Sequence, residues 1–118
     1  MKTQIKFTLM SFLICTMLTG CGSFLAKFYF NLGNSYYERF DPDHAISAYD
    51  HAIQIKPDFA EAYDGRGAAY LDKGDLDRAI SDFDEAIRLN PNSAITYDNR
   101  GYAYFSKGDL DRAISDFD

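Results

Sequence analysis

The sequence predicts an all-helical fold of stacked repeats, and three observations predict it. The stretch KGDLDRAISDFD occurs at residues 73–84 and again, letter for letter, at 107–118, an offset of 107 − 73 = 34 residues. Around it, Tyr63, Arg66, Gly67, Tyr70 and Gly74 recur as Tyr97, Arg100, Gly101, Tyr104 and Gly108. One interval upstream, Tyr29, Gly33, Tyr36, Ala45, Tyr49, Ala52 and Pro57 stand where the next copy has Tyr63, Gly67, Tyr70, Ala79, Phe83, Ala86 and Pro91. Self-similarity at such a period means supersecondary units that bury their apolar faces only by stacking.

Each unit reads as two helices. Tyr63, Gly67 and Tyr70 fall three or four apart and share one face of a first helix, where Gly67 is expected to admit a neighbouring backbone. Ala79, Phe83 and Ala86 mark the same kind of face on a second helix. Small residues beside large aromatics let two helices interlock, and neither could bury that face alone. Gly74 ends the first helix, Asp75 caps the second and Pro91 stops it. In the first copy Asp41 and Pro42 serve the same turn.

In order and spacing this skeleton resembles the tetratricopeptide repeat (TPR) family. The resemblance covers residues 26–118, with repeat 1 at 26–59, repeat 2 at 60–93 and a truncated repeat 3 at 94–118. It implies antiparallel helix pairs in a right-handed superhelical solenoid, about two and a half repeats here, that binds protein segments and is not an enzyme. The third copy stops at Asp118, before counterparts of Ala86 and Pro91. An uncapped solenoid end exposes apolar surface. The expectation is therefore a fragment of a longer protein, with cover by a partner or self-association through that end as the alternative.

Residues 1–20 differ in character. Lys2 and Lys6 precede the apolar run Phe7 to Leu18, with no acidic residue, which reads as a secretory signal peptide too short to span a bilayer. Leu18, Thr19, Gly20 and Cys21 resemble the lipobox of bacterial lipoproteins. That resemblance implies cleavage before Cys21 and acylation of its sulfur and amine, including by a palmitate-type chain, which makes a durable membrane anchor. Gly22 in place of an aspartate then implies an outer-membrane location facing the periplasm. Residues 21–25 form a short tether of at most about 14 Å if fully extended. Phe24, Leu25 and Phe28 are expected to pack on the second helix of repeat 1, with contact to the lipid interface as the alternative. Cys15 lies in the leader and Cys21 goes to lipid, so no thiol is left for a disulfide, a metal or catalysis.

The net charge of −6 becomes −6 − 2 = −8 once Lys2 and Lys6 leave with the leader. No basic patch is visible, so nucleic acid is not an expected partner; a basic or mixed peptide is. In this family the first helices line the concave face. Their residues turned away from the packing skeleton are Phe30, Asn34 and Tyr37, then Asp64, Ala68 and Leu71, then Asp98, Tyr102 and Phe105. They form a candidate peptide-binding groove, an aromatic floor with acidic spots. It departs from the carboxylate-clamp subclass that grips chaperone tails, because Phe30 replaces a lysine and only Asn34 agrees.

Arg66 and Arg100 fill the slot held by Leu32 in the first copy, while Asp82 and Asp116 fill that of Ala48. The paired change predicts an ion pair between the two helices of a repeat. His44 and His51 lie seven apart on one helix, about 10.5 Å along its axis, too far to share a metal. The acidic run Asp72 to Asp77 lacks calcium-loop spacing, and Ser81 and Ser115 recur without a histidine beside them. No cofactor, metal or catalytic group is expected. The whole reads as a membrane-anchored TPR lipoprotein, a protein-interaction scaffold or adaptor of the bacterial envelope. The alternative is the docking arm of a longer envelope enzyme or sensor.

Overall fold

A computed structural model describes the backbone from Lys2 to Asp118 and the side chains from Gly20 onward. The expected leader, including Leu18 and Thr19 of its cleavage motif, lies outside the residues described in full. Six helices follow one another: α1 (Lys2–Glu38), α2 (Pro42–Ile55), α3 (Ala60–Asp72), α4 (Leu76–Leu89), α5 (Ala94–Lys107) and α6 (Leu110–Phe117). There is no strand among the described residues. Each helix packs on the next, and α3 touches both α1 and α5, so α1, α3 and α5 form one layer and α2, α4 and α6 the other. This is the stacked helical solenoid that the repeat predicts.

The turns follow their residues. Asp41, Asp75 and Asp109 each accept a hydrogen bond from the backbone N–H three residues on, at His44, Arg78 and Arg112 (3.2, 3.3 and 3.2 Å). Each thereby satisfies one of the free donors at a helix N-terminus. Gly74 and Gly108 precede these caps with φ of 80° and 84°. The first copy has Phe40 at this place, forced to φ 61° and 93% exposed. A left-handed backbone strains any residue with a Cβ, and this ring returns little through packing. Phe40→Gly should therefore stabilise the chain by about 1 kcal/mol, read as a shift of the urea midpoint.

Glycine and aromatic ring meet inside every unit. A Cβ on Gly33 would lie 2.6 Å from the Tyr49 ring, and one on Gly67 or Gly101 would lie 2.8 Å from Phe83 or Phe117. The expected approach of another backbone to Gly67 is thus corrected in part. The ring of Phe83 comes first, with the Ala79 carbonyl oxygen next at 3.2 Å. Ala45, Ala52, Ala79 and Ala86 are buried as the repeat pattern requires, and Ala62, Ala69 and Ala103 are buried with them.

Residues 21–25, read as a short tether, are helical and part of α1. At 1.5 Å per residue, Cys21 lies about 7.5 Å along the axis from Ala26. Phe24, Leu25 and Phe28 are exposed, against the expectation that they pack on α2. The reason is helical phase: Gly22 and Ala26 face α2, with Gly22 beside Ile55, which turns the three large side chains outward.

Candidate functional site

A cleft of about 260 Å³ opens between α1, α3 and the start of α5, lined by Phe30, Asn34, Asp64, Gly65, Ala86 and Thr96 among others. Three of the predicted groove residues, Phe30, Asn34 and Asp64, therefore meet in one place. Tyr37 stands farther along the same wall beside Asp72. Phe30 and Tyr37 also pack on the core around Tyr49, and Leu71 on the core around Phe83. Asp98, Tyr102 and Phe105 lie exposed on α5, with Asp98 bordering a separate cleft beside Tyr97 and Phe117. Of the nine residues, Phe30, Asn34 and Asp64 line one cleft, Tyr37 and Leu71 pack partly on the cores beside it, Ala68 is half-buried, and Asp98, Tyr102 and Phe105 form an exposed helix face.

The cleft is built around negative charge. Asp64 Oδ1 is buried without a hydrogen-bond partner. Burial pushes the Asp64 carboxyl above its ordinary value; the Thr96 and Asn99 side chains oppose this and the charge of Glu61 adds to it. The Tyr49 hydroxyl donates to Asn34 Oδ1 at 2.7 Å, which leaves the amide donors of Asn34 for the cleft. Burial first, then Tyr37, Asp64 and Glu38, push the Tyr49 phenol up to about 12. Burial first, then Asp72 and Asp64, do the same to Tyr37, also to about 12. A cation is the group these surroundings lack.

Asp64 therefore detracts from stability. A carboxyl held above its ordinary value binds its proton more tightly in the folded chain than in the unfolded one. Stability is lost as the pH rises through the window between the two values. Asp64→Asn should raise stability at neutral pH by on the order of 1 kcal/mol. The gain should shrink on acidification toward the ordinary aspartate range, which melts between about pH 4 and pH 7 would follow.

The ion pair inferred from the repeat is present, and it is larger than inferred. Arg66 Nε and Nη2 donate to Asp82 at 2.8 and 2.7 Å, and Nη1 donates to Asp50 on α2 at 2.7 Å. Arg100 repeats the fork on Asp116 at 2.8 and 2.6 Å, and reaches Asp84 on α4 at 2.8 Å. Each arginine so ties three helices and fixes how one unit stacks on the last. The hydrogen bonds to Asp82, opposed by burial and aided by those to Asp50, hold the Arg66 guanidinium above its ordinary value. Burial pushes Asp82 up and Arg66 pulls it back. Lys73 also reaches Asp43 and Lys107 reaches Asp77, exposed pairs that contribute little.

Asp50 and Asp84 went unnoticed in the sequence although they recur at the repeat interval. Gly65 was missed too. Tyr49 is wedged between Gly33 and Gly65, and a Cβ on Gly65 would lie 2.7 Å from its ring. The signal was there to read: where Phe83 and Phe117 stand in the later copies the first has the longer Tyr49, and Asn31 and Asn99 replace Gly65 elsewhere. Among the described residues no cluster could hold a metal. His44 pairs with Asp41 at 2.7 Å and stacks on Tyr36, while His51 sits edge-on to Tyr29. Among the described residues, no helix is long and apolar enough to cross a membrane.

Comparison with known proteins places this geometry. A family model described as tetratricopeptide repeat matches residues 26–59, and one described as TPR repeat matches 67–108. No curated protein sequence matches the chain. Among solved structures, the first TPR of Spaghetti (RPAP3) bound to the HSP90 peptide SRMEEVD is 29% identical, with 80% of this chain and 75% of that one covered and a TM-score of 0.78. The Arabidopsis OM64 TPR domain is 25% identical over 81% of this chain and 79% of its own, with a TM-score of 0.80. MamA is 32% identical over 78% of this chain with a TM-score of 0.75, and the chain spans 54% of its length. The two models match 34 and 42 of the 118 residues, and the solved structures share the fold, so the chain is built of tetratricopeptide repeats.

Proposed function

We propose that the chain is a membrane-anchored scaffold of the bacterial cell envelope that holds a basic segment of a partner protein in the cleft between α1, α3 and α5. The observation that carries this reading is Asp64, a carboxylate with one buried and unpartnered oxygen beside the Asn34 amide and the Phe30 ring. A lysine or arginine of the partner would pair with Asp64, and an apolar neighbour would cover Phe30. The relatives support the mode and not the ligand: a TPR of RPAP3 has an acidic HSP90 peptide bound. Here Asp64, Asp72 and Glu61 would repel such a tail, so specificity is reversed by charge. A displayed random peptide library, selected separately on wild type and Asp64→Asn, tests it. Lysine and arginine should be enriched on wild type alone; equal enrichment on both would remove the role of Asp64.

For the anchor, Cys21, Phe24, Leu25 and Phe28 follow the spacing i, i+3, i+4 and i+7 and are all exposed, so they share one outward face of α1. Acyl chains on Cys21 would bring that face to the membrane, with the three side chains at the lipid interface. The outer membrane, facing the periplasm, is the location that Gly22 favours. The mass of the N-terminal peptide from membranes should carry acyl chains on Cys21, absent in Cys21→Ser. Phe24→Trp should blue-shift in fluorescence on vesicles, and insensitivity to lipid would sink the interface contact.

A further inference from the structure

We propose that α1 lies along a bilayer containing anionic phospholipid from Cys21 to its C-terminal end, with Arg39 on lipid phosphate and Phe40 inserted as a second contact. The proposal rests on the anchor reading above and extends it along the helix. The face that carries Cys21, Phe24, Leu25 and Phe28 continues at Leu32, half-buried, and at Arg39, exposed and directly beyond the helix. Because 39 − 21 = 18 residues make five turns, Arg39 stands in line with Cys21, about 27 Å along the axis. Phe30 of the cleft lies 30 − 21 = 9 residues from Cys21, two and a half turns, and so on the opposite side of α1. A helix seated this way leaves the cleft open to a partner.

Charge and an unusual turn both fit a lipid surface. Residues 21–40 carry Lys27, Arg39 and Glu38, 2 − 1 = +1, whereas residues 41–118 carry 8 − 17 = −9. Lys27 and Arg39 are exposed, and neither pairs with a carboxylate among the described residues. An anionic surface therefore repels the rest of the chain and admits this face. Phe40 stands where the later copies have Gly74 and Gly108, holds a φ of 61° and is 93% exposed. The strained backbone and the bare ring both destabilise the free chain, and a ring at the lipid interface regains apolar burial. The neighbouring carboxylate, Asp41, is already occupied by the backbone N–H and the ring of His44.

The chain has no tryptophan, so single introduced tryptophans report their own surroundings. The full chain is reconstituted on vesicles of phosphatidylethanolamine and phosphatidylglycerol with brominated acyl chains, which quench tryptophan at the interface. Phe40→Trp should be quenched about twofold or more, while Ile95→Trp, 69% exposed on α5, should not be. Adding Arg39→Glu to Phe40→Trp, or replacing phosphatidylglycerol by phosphatidylcholine, should remove most of that quenching. The urea midpoint should not move with Arg39→Glu, which separates lost contact from unfolding. Quenching of Phe24→Trp without that of Phe40→Trp would confine the contact to the Cys21 end, keeping the anchor reading and overturning this one. Quenching of neither would overturn the lipid contact of the whole face and leave it to a protein partner. Equal quenching of Ile95→Trp, or indifference to both Arg39→Glu and lipid charge, would also overturn the proposal.

Discussion

Arg66→Leu should cost about 3 kcal/mol, because it leaves Asp82, a carboxylate with only 8% of its side chain accessible, charged and unpaired among three helices. Loss of the arginine removes the group that pulls the Asp82 carboxyl down, so burial alone would hold it well above its ordinary value. The sign follows. The folded variant then binds the Asp82 proton more tightly than the unfolded chain, and its stability should recover as the pH falls through that raised value. Adding Asp82→Ala recreates Leu32 and Ala48, the apolar pair that the first repeat already uses. The double variant should therefore lose about 2 kcal/mol less than the sum of the two single losses. Urea titrations of the four chains give the coupling, and strictly additive losses would mean that the fork does no more than fill space.

Phe83→Ala should cost about 4 kcal/mol, the loss typical of a fully buried phenylalanine whose cavity cannot collapse. Phe117→Ala is the internal control. It removes the same residue from the same twelve-letter stretch, yet Phe117 is 52% exposed, and the loss there should be about 1 kcal/mol. Equal losses would mean that the local sequence and not the stacking of the next helix decides the contribution, contrary to a solenoid held by neighbour interfaces.

The contrast between these two phenylalanines also says what was legible in the sequence. Spacing decides which residues share a helix face, so the helix pairs and the aspartate caps could be read from one-dimensional periodicity, whereas the aromatic ring that fills the space over each repeat glycine was expected to be a backbone. The fork from Arg66 to Asp82 was readable for the same reason, because its two ends change together in the first copy. What escaped depends on contacts between units. Asp50 and Asp84 meet arginines of the following repeat, and Gly65 answers a tyrosine of the preceding one. The candidate groove was legible as a set of first-helix positions and not as a shape. Stacking buries Phe30, Tyr37 and Leu71 partway and closes Thr96 over Asp64, whereas Tyr102 and Phe105 stay open. The outward turn of Phe24, Leu25 and Phe28 required the helical phase set by Gly22 and Ala26 against α2.

If Asp64 makes the cleft a site for a basic segment, two labelled peptides should bind the full chain in detergent with very different affinities. One is SRMEEVD, the peptide held by the RPAP3 relative, and the other is its charge-reversed counterpart SRMKKVR. SRMKKVR should bind at least about tenfold tighter, added salt should narrow the difference, and Asp64→Asn should remove most of it. Tighter binding of SRMEEVD, or a preference for SRMKKVR untouched by Asp64→Asn, would contradict that role of Asp64.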